Sequence, residues 1–243
     1  AGQEQHGPPA LFVSWSASSL QLRIRVRALL KGAAAEIPSL KAGEQEAPLS
    51  QFQHFASCMR MADGALGKEG WVLFSDDDDL WHPKRYAEYA GAISRVQAHS
   101  ETVAVIGKGH AILCRDCKPR PVVPADIERL LETGASRLSG TQTLGFQGQG
   151  TGSVNDEAEL GSGPGPEYFD IAIRAPQLRA FLNTTPKRIL AHKFCDRHFL
   201  HRHYMPYEGR AHYFNPAGWL YFYSRLSCFS RSEAGDYAGG ASF

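Results

Sequence analysis

Residues 71–83, WVLFSDDDDLWHP, constrain the fold more than any other stretch of the chain. WVLF is a continuous apolar run, the pattern of a strand buried on both faces. It leads straight into Asp76, Asp77, Asp78 and Asp79, and Leu80 and Trp81 follow at once. Adjacent carboxylates repel, and crowding raises the pKa of some of them. In open α/β sheets ligands bind at the carboxyl ends of the strands. A divalent cation there removes the repulsion, and Mg²⁺ and Mn²⁺ prefer oxygen ligands, often one or two carboxylates plus substrate phosphates. The run therefore reads as the seat of a metal that in turn holds a diphosphate. The alternative is a solvated acidic turn with Asp79 near a helix N-terminus. Four aspartates exceed what a cap requires, and the apolar pair after them argues against a loose loop.

The surrounding chain alternates strand and helix patterns. LFVSW (residues 11–15) reads as a short buried strand. LQLRIRVRALLKG fits either an alternating strand or a helix with Leu22, Val26, Leu29 and Leu30 on one face; a strand just before it favours the helix. Residues 48–66 read as a helix with Ser50 as N-cap. HPKRYAEYAGAISRVQ is the clearest helix, with Pro83 suited to its first turn and Tyr86, Tyr89, Ala90, Ile93 and Val96 on one face. TVAVIG (residues 102–107) is another buried strand. This alternation predicts an α/β protein with a mainly parallel central sheet flanked by helices. The strand before the aspartates, residues 72–74, is expected at its centre.

From Gly134 to Pro166 the pattern breaks into Gly, Ser, Thr and Gln with few apolar groups, the mark of a flexible, structureless loop. The expected organisation is a single domain over residues 10–230 in two halves, 10–107 and 108–230, the second holding the loop 134–166, and a flexible tail (231–243). The 43% hydrophobic content is that of a protein with a real core. A net charge of +1 argues against nucleic acid as a partner. No apolar run approaches the roughly 20 residues that cross a bilayer. The five cysteines are odd in number and irregular in spacing, which argues against a disulfide framework. Cys114 and Cys117 have the spacing of half a zinc site, but no second pair matches them. The chain opens on Ala1 with no basic-then-apolar leader after it. A cytoplasmic protein, or a soluble fragment of a larger one, is the expectation.

WVLFSDDDDLWHPKR resembles the DXD segment of glycosyltransferases with the GT-A fold, family 2 above all, where a strand ends in a pattern such as Asp-x-Asp-Asp-x-Trp before a helix. On that resemblance Asp76 and Asp78 are the DXD pair and Asp79 follows it. The family implies a first carboxylate near the nucleotide ribose, with Asp77 beside it, and a later one holding Mn²⁺ or Mg²⁺ on the diphosphate. Asp78, Asp76 and Asp79 are thus the metal candidates. The likeness covers residues 11–107, and it implies that residues 10–107 are a nucleotide-sugar half and residues 108–230 an acceptor half. FVSWSA is similar to the family's first strand and its nucleotide-facing loop, which makes Ser14, Trp15 and Ser16 donor contacts. LSQFQHF stands where the family often has Ser-x-Ala-Arg-Asn. The Arg-Asn pair is missing here, and Gln51, Gln53 and His54 occupy the region.

The acceptor half should supply a general base. FCDRHFLHRHY is similar to a family helix that begins with Glu-Asp, so Asp196 is the first candidate, with Asp170 and Glu167 of EYFD behind it. Surface carboxylates or ion-pair partners are the plain alternative for all three. His198 and His201, three apart, share a helix face near Cys195 and could hold zinc. His192 and His212 are candidates for a further ligand of the donor metal.

The resemblance implies a metal-dependent glycosyltransferase that moves a sugar, with inversion, from a nucleoside-diphosphate sugar to a hydroxyl of a glycan or other acceptor. Two rivals remain. A nucleotidyltransferase or phosphotransferase also pairs aspartates on a metal, but would be expected to carry a glycine-rich phosphate loop after its first strand, and FVSWSASS has no glycine. A calcium-dependent carbohydrate-binding module could use the aspartates without catalysis, but would be expected to be all-β.

Overall fold

The computed structural model describes residues 9–67, 70–75, 80–82, 84–107, 110–115, 118–119, 141–144, 168–193, 195–200, 210–214 and 221–223. It is α/β. The order is β1 (Leu11–Trp15), α1 (Leu20–Glu36), β2 (Leu40–Glu44), α2 (Gln51–Ala62), β3 (Trp71–Leu73), β4 (Leu80–Trp81), α3 (Arg85–Val96) and β5 (Ala104–Gly107). Then come β6 (His110–Arg115), β7 (Lys118–Pro119), β8 (Thr141–Leu144), a 3-10 turn (Tyr168–Asp170), β9 (Ile171–Arg174) and α4 (Ala175–Thr184). The last elements are α5 (Lys187–Leu190), α6 (Cys195–Phe199), β10 (Ala211–Phe214) and β11 (Tyr221–Tyr223). No helix among the described residues is long and apolar enough to cross a membrane.

The sheets are mixed, which corrects the expectation of a mainly parallel one. β1–β2, β5–β10 and β6–β11 are parallel, while β4–β11, β6–β7 and β6–β8 are antiparallel. Among the described residues three sheets result: β1-β2, β10-β5-β9-β3, and a five-stranded one of order β4-β11-β6-β7 with β8 also on β6. The antiparallel partners are short strands that need no crossover helix, unlike the βα units on which the parallel expectation rested. β3 ends its sheet's order and is not central, because β1 and β2 pair with each other. Thr141–Leu144 falls inside the expected structureless segment, yet pairs along β6 from Leu144 opposite His110 to Thr141 opposite Leu113. Its two threonines are β-branched and alternate, which fits a pleated ladder. The rest of residues 134–166, and the tail 231–243, lie outside the described residues.

The chain divides into two compact units, Ala1–Val72 with Ile173–Arg210, and Leu73–Ala172 with Ala211–Phe243. In the first, α2 is set by its cap. The Ser50 hydroxyl accepts from Gln53 N–H at 3.3 Å, and the Gln53 side chain accepts from Ser50 N–H at 2.9 Å. This capping box satisfies two otherwise orphaned donors. Phe52, Met59 and Ala62 then recur on one buried face. Phe52 meets Phe181 edge-on at 5.6 Å and Phe199 at 5.6 Å, so α4 and α6 close over α2. Helix α1 forms as expected but buries no residue; Leu20, Ile24 and Leu29 stay exposed.

The second unit is built around α3. Arg85, Tyr89, Ala92 and Val96 form its buried stripe, with Ala90 beside it; Tyr86 and Ile93 are only half-buried. The stripe is thus rotated from the expected face, because Arg85 takes the place at its head. Tyr89 donates to the Asp170 carbonyl at 2.6 Å and accepts from Gly107 N–H at 3.2 Å. A Cβ at position 107 would lie 2.8 Å from both the Tyr89 hydroxyl and the Phe214 ring, so only glycine lets β5 approach them this closely. Lys84 precedes α3 as its N-cap, and Pro83 lies outside the described residues.

Candidate functional site

Parallel strands bring their carboxyl ends to the same edge, and here β1 ends at Trp15 opposite Glu44 of β2. The edge is closed by Gln45 N–H donating to the Trp15 carbonyl at 2.8 Å. Three residues expected to meet the donor converge at it. Ser14 Oγ is 2.9 Å from His54 Nδ1, and Ser16 Oγ is 3.4 Å from His54 Nε2. The local sequence explains this convergence. Positions 14 and 16 fall on one face of an extended chain. His54 sits one turn into α2, its N–H donating to the Ser50 carbonyl at 2.9 Å. A hydroxyl donates or accepts equally well, so either neutral tautomer of His54 is satisfied. Alternation assigns Trp15 to the opposite face, and Gln51 opens α2 one turn before His54. Behind the cluster, Cys58 Sγ donates to the Phe12 carbonyl at 3.4 Å, and burial pushes its thiol pKa up.

Asp76, Asp77, Asp78, Asp79 and Glu167 lie outside the described residues. The residues that follow the aspartates are described. The Arg85 guanidinium is fully buried, stacked 4.1 Å from the Trp81 ring and 5.5 Å from Tyr89, and it donates to the Phe169 carbonyl. The expected site did not include Arg85. Its signal was legible: a cation in the first helical turn after an acidic run is poorly placed as a surface charge, because the helix dipole there favours anions. Trp81 serves as the flat face against which that cation is held. His82 Nδ1 accepts from Lys84 N–H at 3.1 Å, and burial lowers its pKa, with the nearby Lys84 charge adding to the effect.

The base candidates separate. Asp196 belongs to the first unit and lies in the first turn of α6, between buried Cys195 and the Phe199 that stacks on Phe52. Its Oδ1 is buried and accepts no hydrogen bond among the described residues. Burial pushes its carboxyl pKa up, while the backbone N–H of Arg197, the Arg197 charge and its own N–H pull it partly back. Asp170 belongs to the second unit, at the end of the 3-10 turn, and is only 3% exposed.

Of the histidines, His212 sits in β10 opposite Val105, its pKa lowered by burial and then by Arg95. His192 N–H donates to the Ile189 carbonyl at 3.0 Å in the turn after α5. His198 is 6.1 Å from the Phe181 ring, and His201 lies outside the described residues. Cys114 is in β6, and Cys117 lies outside the described residues. No group of three or more His, Cys, Asp or Glu among the described residues converges as a metal site. No protein-family model matches the chain, and no curated protein is significantly similar to it.

Proposed function

We propose that the protein is a glycosyltransferase of GT-A type, moving a sugar from a nucleoside-diphosphate sugar to an acceptor hydroxyl with inversion. The observation that carries this reading is the Ser14–His54–Ser16 cluster at the carboxyl edge of a parallel strand pair. Residues from two separate stretches, both expected from the resemblance to be donor contacts, meet there through hydrogen bonds, at the kind of edge where α/β proteins bind ligands.

The oxygen-only donor set of Asp76, Asp78 and Asp79 fits Mg²⁺ or Mn²⁺, and the Asp76 and Asp77 carboxylates suit ribose hydroxyls. Such a cation supplies charge that stabilises the departing diphosphate. The protein's own groups do the rest. The Ser14 and Ser16 hydroxyls, held by His54, orient the nucleotide. The Arg85–Trp81 stack holds the start of α3, and with it the chain that leaves the aspartates. Asp196 accepts the acceptor's proton at its carboxylate. Burial makes it a stronger base than an exposed aspartate, and general-base efficiency follows basicity.

A thermal-shift screen of nucleoside-diphosphate sugars, each with Mn²⁺ and with EDTA, tests the reading. At least one donor should raise Tm with Mn²⁺ and fail to do so with EDTA. A panel in which no donor shifts Tm, or in which EDTA makes no difference, would overturn it.

A further inference from the structure

Helices α2, α4 and α5 of the first unit border an open cleft of about 490 Å³ on the side of α2 reached by Gln53, one position from His54. One residue along a helix is a rotation of about 100°, so this cleft and the Ser14–His54–Ser16 cluster use different faces of α2. Its volume lies within the range of small-molecule sites, about 300–1,000 Å³.

The lining has two parts. Met59, Leu182 and Leu190 form an apolar base, each buried at 6–8% exposure. Arg60, Arg179 and Lys187 stand around it. Against these three cations the cleft holds one carboxylate, Asp63, which accepts from Arg179 Nε at 3.2 Å and Nη2 at 3.0 Å through a single oxygen. That pair is exposed, at 64% for the Asp63 side chain, and exposed ion pairs contribute little. The Arg60 and Lys187 side chains make no ion pair among the described residues. An apolar base ringed by cations in excess of their counter-charge suits an oxyanion carried on an apolar group, which meets both parts of the cleft at once, whereas a simple salt or an apolar solute meets only one.

We propose that this cleft is a second ligand site, for a small organic phosphate or carboxylate with an apolar body. The oxyanion bridges Arg60 and Lys187 and draws on Arg179 by competing with Asp63, while the apolar part covers Met59, Leu182 and Leu190.

Titration calorimetry with phenyl phosphate, run in EDTA to silence any metal-dependent donor binding, tests the proposal. Phenol and inorganic phosphate, each keeping half of the chemistry, should bind at least about tenfold more weakly. Benzoate binding as well as phenyl phosphate would assign the site to oxyanions in general, and benzoate binding far more weakly would assign it to phosphates; both outcomes support the site. The double variant Arg60→Ala/Lys187→Ala should lose about tenfold or more in affinity with its Tm unchanged, since both side chains are solvent-exposed. Asp63→Asn should tighten binding by freeing Arg179, and His54→Ala should leave it as it is. No binding of phenyl phosphate, equal binding of inorganic phosphate, or an undiminished affinity in the double variant would overturn the proposal. None of these results depends on whether the protein transfers sugar.

Discussion

Replacing Asp196 by Asn should stabilise the protein at neutral pH and at the same time remove its turnover. Oδ1 of Asp196 is buried and unpaired among the described residues, and burial outweighs the stabilising N–H groups and the Arg197 charge, so the folded-state pKa is raised above the ordinary value of 3.8. A carboxyl with a raised folded pKa holds its proton more tightly folded than unfolded. Stability is therefore highest below about 3.8, falls as pH rises through the folded pKa, and stays reduced above it. A buried acceptor left unpaired costs about 1–3 kcal/mol. Asparagine keeps one such oxygen but carries no charge, so about 1 kcal/mol should be recovered at neutral pH. For a chain of this length that is a rise of about 2–4 °C in Tm. The difference should shrink towards zero at about pH 3, where both forms are neutral. Urea unfolding of the two proteins across a pH series reads it out, with transfer assayed on the same samples. A variant less stable than wild type at neutral pH, or a difference that does not change with pH, would refute the electrostatic account. Near-normal turnover in the variant would refute the assignment of the base.

Three further outcomes follow from the packing. Ser50→Ala removes both the cap to Gln53 N–H and a hydrogen bond to the Leu190 carbonyl, and should lower stability by about 2 kcal/mol, whereas Ser50→Thr should keep most of it; thermal unfolding distinguishes them. Tyr89→Phe leaves the Asp170 carbonyl and Gly107 N–H without their buried partner and should cost about 1–3 kcal/mol in urea unfolding. The Cys195 thiol, pushed up to about 12 chiefly by burial, should resist iodoacetamide at neutral pH in the folded protein and react once urea unfolds it.

Much of residues 10–107 was legible because the signals there are local. Ser50 was legible as the N-cap of α2, a bond between near neighbours; that Gln53 returns a second bond to complete a capping box is what the structure adds. The apolar runs at residues 11–15, 71–73 and 104–107 all form strands, but only 104–107 is buried throughout; 11–15 and 71–73 are half-buried, which corrects the expectation of buried strands there. Residues 20–36 were ambiguous because their apolar positions satisfy two periods at once; they form a helix, and one without a buried face. The mixed sheets were not legible. β6 takes partners from one neighbouring stretch and two distant ones, and two of the three, at 118–119 and 221–223, are too short to show a period. The Ser14–His54–Ser16 cluster was legible as residues, while its hydrogen bonds depend on how α2 packs on β1. Arg85 was missed, although its place in a first helical turn was a legible signal, because a buried arginine is rare; its burial rests on Trp81, Tyr89 and the Phe169 carbonyl.

The central claim is metal-dependent sugar transfer, and it is tested most directly by following product formation from the donor found in the screen. Wild type and Asp78→Asn are compared with Mn²⁺ and with EDTA, alongside circular dichroism of both. The asparagine keeps the shape of the side chain and loses the charge that would hold the cation. The account predicts transfer by wild type with Mn²⁺ only, no transfer by the variant under either condition, and identical spectra. Transfer that survives EDTA, or persists in a folded Asp78→Asn protein, would contradict it.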